Sequence, residues 1–207
     1  YTLNSSSRMK HIGATLLLLI TCSAGLAQDW ILKKDEQDIK VYTKQNNSSG
    51  FDSFRATMEV NVSVGEITKF LKNMDKYPEA FPETKELKIL KRPNDSTQIQ
   101  YTYTEAPWPV SDRDGVYEMI FRTNSKTGQM STRARALPSF ISEKEGVVRI
   151  KRSESYWIAT PIGQNKIRLE YIVNADPGGS IPGWLANSAA VDIPFDTFVN
   201  IRKALTK

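Results

Sequence analysis

Ala106-Pro107-Trp108-Pro109-Val110-Ser111-Asp112-Arg113-Asp114 is the stretch on which the reading of this chain turns. Two prolines hold one tryptophan between them, so the segment is stiff and belongs in a connection rather than in a regular element. On its N-terminal side Ile99, Tyr101 and Tyr103 alternate with Gln98, Gln100, Thr102 and Thr104, the period of a half-buried strand. On its C-terminal side residues 115–123 form a second strand candidate.

The same alternation extends outward in both directions. Phe54, Ala56, Met58, Val60 and Val62 alternate with Arg55, Thr57, Glu59 and Asn61, and Ile167, Leu169, Tyr171 and Val173 with Lys166, Arg168 and Glu170. Further strand candidates lie at 39–44, 86–92, 129–136 and 147–159, with turns at Pro93-Asn94-Asp95 and Ser125-Lys126-Thr127-Gly128. Sequential strands joined by short turns predict an antiparallel sheet. Ser63-Val64-Gly65-Glu66 is a capping box that opens a helix carrying Ile67, Phe70 and Leu71. A longer helix ends the chain: Pro182 suits its first turn, and Trp184, Val191, Phe195, Phe198 and Leu205 share one stripe. Pro194 is expected to kink or interrupt it. The prediction is an α+β domain, a curved antiparallel sheet of about nine strands around one long C-terminal helix. Such a sheet either leaves a concavity for an apolar ligand or is filled by the helix, and the pattern does not choose between them.

The N-terminal segment reads differently. Met9-Lys10-His11, the apolar run from Ile12 to Ile20, and small residues at Gly25 and Ala27 describe a secretory signal over residues 9–27, preceded by an upstream extension at 1–8. The mature domain is then 28–207, exported to a periplasm or secreted; lipoprotein anchoring through Cys22 is the lesser alternative. The run is too short to span a bilayer. Removing residues 1–27 takes away the only His, His11, and the only Cys, Cys22, and with Arg8 and Lys10 lowers the formal charge of +5 by two. A domain without His or Cys runs no Ser-His-Asp or Cys-His mechanism and builds no His/Cys zinc site or internal disulfide. No phosphate-cradling or dinucleotide-binding glycine motif is present. The small, scattered positive charge does not suit nucleic-acid binding. No cofactor is expected.

The stretch 106–114 resembles the Pro-x-Pro-x-x-x-Arg-Asp signature of START (StAR-related lipid transfer) domains. Other landmarks agree in order: Trp30 with Ile39-x-Val41-Tyr42, Val148-Arg149 with Trp157 and Pro161, and Tyr171 to Asn187. The resemblance covers about residues 29–206. It implies a helix-grip fold of the START/Bet v 1-like kind, with an internal tunnel for a lipid or other hydrophobic small molecule. It implies non-covalent binding or transfer by a monomer that is not an enzyme, with transient membrane contact. Residues Glu105–Asp112 and the helix from Pro182 correspond to the family's gate. Two other readings are a cyclase or hydrolase acting in the same cavity and an envelope sensing module.

Alternation then nominates ligand contacts. Tyr101, Tyr103, Tyr117, Met119 and Phe121 are assigned to the more apolar face, and Ala134 with Ala136 leaves room for a ligand. Val191 and Phe195 supply the helix side. Ile150, Arg152 and Glu154 lie on one face of the 147–159 strand; turned inward, Arg152 and Glu154 form a buried pair for a polar head group, and turned outward they are surface charges. Trp108 is either a membrane-touching tip or a core plug. Arg113 and Asp114 point to opposite faces and are expected to tie a loop and a helix in separate ion pairs. Sterol-binding members carry an acid and an arginine where this chain has Tyr101 and Met119, which argues against that head-group site.

Overall fold

A computed structural model describes residues 1, 30–46, 51–73 and 77–206. The signal-like segment 9–27 therefore lies outside the described residues. The strands are β1 (Ile31–Glu36), β2 (Ile39–Lys44), β3 (Ser53–Val60), β4 (Thr84–Asn94), β5 (Thr97–Thr104), β6 (Arg113–Thr123), β7 (Met130–Ala136), β8 (Val148–Arg149), β9 (Arg152–Gly163) and β10 (Lys166–Asp176). The helices are α1 (Val64–Lys72), α2 (Tyr77–Ala80) and α3 (Gly183–Leu205). One open antiparallel sheet runs β1-β2-β3-β10-β9-β7-β6-β5-β4, with β8 paired in parallel to the start of β6. The expected α+β helix-grip architecture is present.

Local chemistry accounts for the elements. Ser63 caps α1 as read: its hydroxyl accepts from the Glu66 N–H at 3.2 Å, and the Glu66 carboxylate accepts from the Ser63 N–H at 2.7 Å. At the β6–β7 turn the Asn124 side chain accepts from the N–H groups of Lys126 and Thr127. At the other predicted turn, β4 continues through Pro93 and Asn94, and the reversal falls one residue later, at Asp95-Ser96. Pro93 is tolerated because β4 is an edge strand and needs no N–H on its outer side.

Four other expectations are met differently by the structure. The 147–159 segment is not one strand: Val148 and Arg149 pair with β6, the Ile150 N–H donates to Asp114 O, and the chain then crosses to begin β9 at Arg152. Pro182 is the N-cap of α3 and lies one position before its first turn. Of the two outcomes expected at Pro194, interruption does not occur: α3 runs unbroken over its 23 residues, with Pro194 inside it. The α3 stripe is also narrower than read. Phe195, Phe198, Ile201 and Ala204 are buried, Val191 and Leu205 are half-buried, and Trp184 is 59% exposed.

The core sits between the sheet's inner face and the C-terminal half of α3. Phe198 stacks on Trp157 with ring centroids 5.9 Å apart, and Trp157 stacks on Tyr171 at 3.9 Å. Tyr77 and Phe81 close the same core from α2 and the residues after it.

Candidate functional site

Directly opposed residues of antiparallel strands share a face, so the pairing register defines rows across the sheet. Met130, Ala159, Leu169, Met58 and Ile39 form an inner row that is buried throughout. The next row toward the 105–112 loop is Phe121, Thr132, Trp157, Tyr171, Ala56 and Val41, of which all but the half-buried Tyr171 are buried. In the third row Gln98, Met119 and Ala134 are buried, while Ser155, Val173 and Phe54 are half-buried. In the fourth, Gln100 is buried and Tyr117, Ala136, Ser153 and Ala175 are half-buried. The inner face is thus packed solid where Phe195, Phe198 and Ile201 meet it and accessible toward the N-terminal half of α3.

The accessible end is polar and, on the inner rows, free of carboxylates among the described residues. Tyr171 is surrounded closely enough for burial to push its phenol up to about 12, and its hydroxyl lies beside Ser155. Burial raises the Tyr117 phenol as well, with Thr102 beside it. Gln98 Oε1 accepts from Arg92 at 2.8 Å, and Gln100 Oε1 accepts from Gln98 at 3.5 Å. The inner rows of β2, β3, β5, β6, β7, β9 and β10 carry no carboxylate among the described residues. No group of three or more metal-ligating side chains comes together among the described residues. A cleft of about 980 Å³ does open on the opposite face of β2, β3 and β10. Arg55, Glu59, Lys166, Arg168 and Glu170 on its walls pair with one another, so it offers charge rather than an apolar wall.

The register splits the nominated residues. Tyr117, Met119, Phe121 and Ala134 share the inner face as expected, with Phe195 above the packed end and Val191 half-buried further along α3. Tyr101 and Tyr103 do not share it. They are on the outer face, where Tyr101 packs with Ile99 and Val116 beneath Leu137 and Ile141. The apolar side of β5 therefore faces a covering segment, and its polar side lies on the inner face of the sheet. Arg152 and Glu154 take the outward alternative: Arg152 pairs with Asp176, and Glu154 with Arg133. Ile150 falls in the break between β8 and β9. Trp108 is 91% exposed, a tip and not a plug. Gln98, Gln100, Ser155 and Tyr171 are inner-wall residues that were not nominated. The register that opposes Gln98 to Met119 is what reveals the glutamines, and pairing of that kind is invisible in a single strand.

Two loops border the accessible end. In residues 105–112, Asp112 accepts from the Tyr103 hydroxyl and, at 2.9 Å, from the Ala106 N–H. In residues 177–182, Gly178 and Gly179 adopt φ of 67° and 66°, the left-handed region that glycine occupies freely. A Cβ at Gly178 would also lie 3.2 Å from Val148. Arg113 reaches both loops, donating to Ser111 O and to Gly178 O. Only Asp114 forms the expected ion pair, with Arg149; Arg113 is held by carbonyls instead.

Comparison with known families matches residues 17–207 to the START domain. An uncharacterized protein of Pseudomonas aeruginosa is 34% identical over 184 residues, covering 88% of this chain and 89% of that one. Mouse phosphatidylcholine transfer protein is 26% identical over 167 residues, covering 78% and 77%. Among solved structures, a STAR-related lipid transfer protein from Xanthomonas axonopodis superposes with a TM-score of 0.78 at 33% identity, covering 86% of this chain and 99% of that one. The chain belongs to the START domain family.

Proposed function

We propose that this chain is a non-enzymatic carrier that binds one lipid or similar hydrophobic molecule between the inner face of the sheet and the N-terminal half of α3. The observation that carries the reading is the gradient of packing along the inner rows. Side chains surrounded by protein, Tyr117 and Tyr171 among them, keep surface accessible there. The relatives named for lipid or phosphatidylcholine transfer agree with it. Each methylene removed from water contributes about 0.8 kcal/mol, so an acyl chain supplies the affinity, and neutral groups such as Gln100 and Ser155 take its ester or hydroxyl oxygens. Among the described residues the inner rows of β2, β3, β5, β6, β7, β9 and β10 hold no carboxylate, which disfavours carboxylate-based acid–base catalysis in the same space.

Exchange requires an opening, and the 105–112 and 177–182 loops are the elements that border it. Trp108 at the first and Trp184 just past the second are exposed, a pair of amphipathic rings suited to a membrane interface. The signal-like residues 9–27 support export to a periplasm or beyond, where the monomer would move lipid between membranes. Fluorescent-lipid transfer between donor and acceptor vesicles tests the carrier reading. Transfer that rises linearly with protein concentration supports it, and transfer no faster than the protein-free rate refutes it.

A further inference from the structure

Arg113 is 7% exposed, and no carboxylate pairs with it among the described residues. Its Nη1 donates to Ser111 O and its Nη2 to Gly178 O at 3.4 Å, while the enclosed Nε has no partner. Asp112, the adjacent acid, is occupied by Tyr103 and Ala106. Arg113 stands two residues before Gly115 and four before Tyr117 on β6, so it lies on the inner face. It is the single charged side chain on the inner rows of β2, β3, β5, β6, β7, β9 and β10 among the described residues.

Asp112 acts on Arg113 only through space; a guanidinium removed from water with no carboxylate in contact is costly, and an unpaired N–H adds to the cost. Buried donors left over in this way call for a group that completes them. The planar fork of arginine fits a phosphate or carboxylate through two parallel N–H donors, a match no neutral lipid group reproduces. Glycines leave space beside it: a Cβ at Gly179 would be 3.8 Å from Nη2.

We propose that Arg113 binds an oxyanion, phosphate or carboxylate, carried by the hydrophobic ligand at the mouth of the concavity. The assignment rests on the carrier reading above. Because Nε is enclosed, the oxyanion reaches it only when the 105–112 or 177–182 loop shifts. Once in place, it and the two carbonyls share one guanidinium, so loading and closure of both loops coincide.

The test offers the full chain dioleoyl phosphatidylglycerol and dioleoylglycerol, each delivered from cyclodextrin, and counts bound lipid by native mass spectrometry. The wild type takes up the phosphate-bearing lipid in preference by about tenfold or more, the scale of a charge-assisted hydrogen bond. Arg113→Gln brings that ratio close to one while dioleoylglycerol still binds. The wild-type ratio decides the matter by itself if the variant does not fold. Inorganic phosphate alone, read as a rise in Tm of the wild type and not of Arg113→Gln, identifies free phosphate as a source and upholds the same site. Equal uptake of the two lipids with no response to phosphate overturns the Arg113 assignment and leaves the carrier reading standing. No uptake of either lipid overturns both.

Discussion

Arg149 donates from Nε to Asp114 Oδ1 at 2.6 Å and from Nη2 to Asp114 Oδ2 at 2.9 Å, and neither side chain keeps accessible surface. The remaining donors of Arg149 go to the carbonyls of Pro138, Ile141 and Ser142. One buried pair therefore fastens the covering segment over Tyr101 on the outer face. Breaking such a pair strands a charge, which costs about 3–5 kcal/mol. Arg149→Ala is expected to lower stability by that order in urea unfolding, and a loss within a few tenths of wild type would contradict the assignment.

The 105–112 loop is tethered through Asp112. The Tyr103 hydroxyl first and the Ala106 N–H second hold its carboxyl below the ordinary aspartate value. A carboxylate depressed in the folded state stabilises above its unfolded pKa and loses that contribution as pH falls through the folded value. The tether is thus intact at neutral pH and released on acidification below roughly pH 4. Tyr103→Phe should speed exchange of the Ala106 amide at neutral pH and flatten its acid dependence. Unchanged exchange at both pH values would remove Tyr103 from this role.

Ser155 is half-buried at the accessible end, opposite Val173 and Ala134. Ser155→Leu projects an apolar side chain into the proposed ligand space. Lipid affinity is expected to fall about tenfold, the effect of roughly 1.4 kcal/mol of crowding, with little change in Tm. Full retention of binding would place the ligand elsewhere.

Trp108 and Trp184 are the membrane-facing elements of the account. Replacing either with Ala should weaken sedimentation with vesicles by about tenfold, the value of taking a large ring partly out of the interface. Lipid capture from cyclodextrin should stay as in the wild type, since neither ring belongs to the inner rows. Undiminished vesicle binding by both variants would exclude this contact.

Most of the strands and the first helix were legible because alternation, the Ser63–Glu66 box and the Ser125–Gly128 turn are local. The faces of β5 were not. Ile99, Tyr101 and Tyr103 are the apolar side, and an apolar side normally faces the main core, but residues 137–147 supply a second cover. The same limit applies to Arg152 and Glu154, whose direction depends on the break after Arg149. Arg113 illustrates what single residues do show: the opposition of Arg113 and Asp114 followed from strand geometry, and only the partners required the tertiary structure.

Native mass spectrometry of the freshly purified protein, with organic extraction of what it carries, tests the central claim most directly. The account predicts one hydrophobic molecule per chain, released on denaturation and rebound by the wild type at lower lipid concentration than by Ser155→Leu. A chain that shows only its own mass, before and after incubation with mixed lipids, would contradict it.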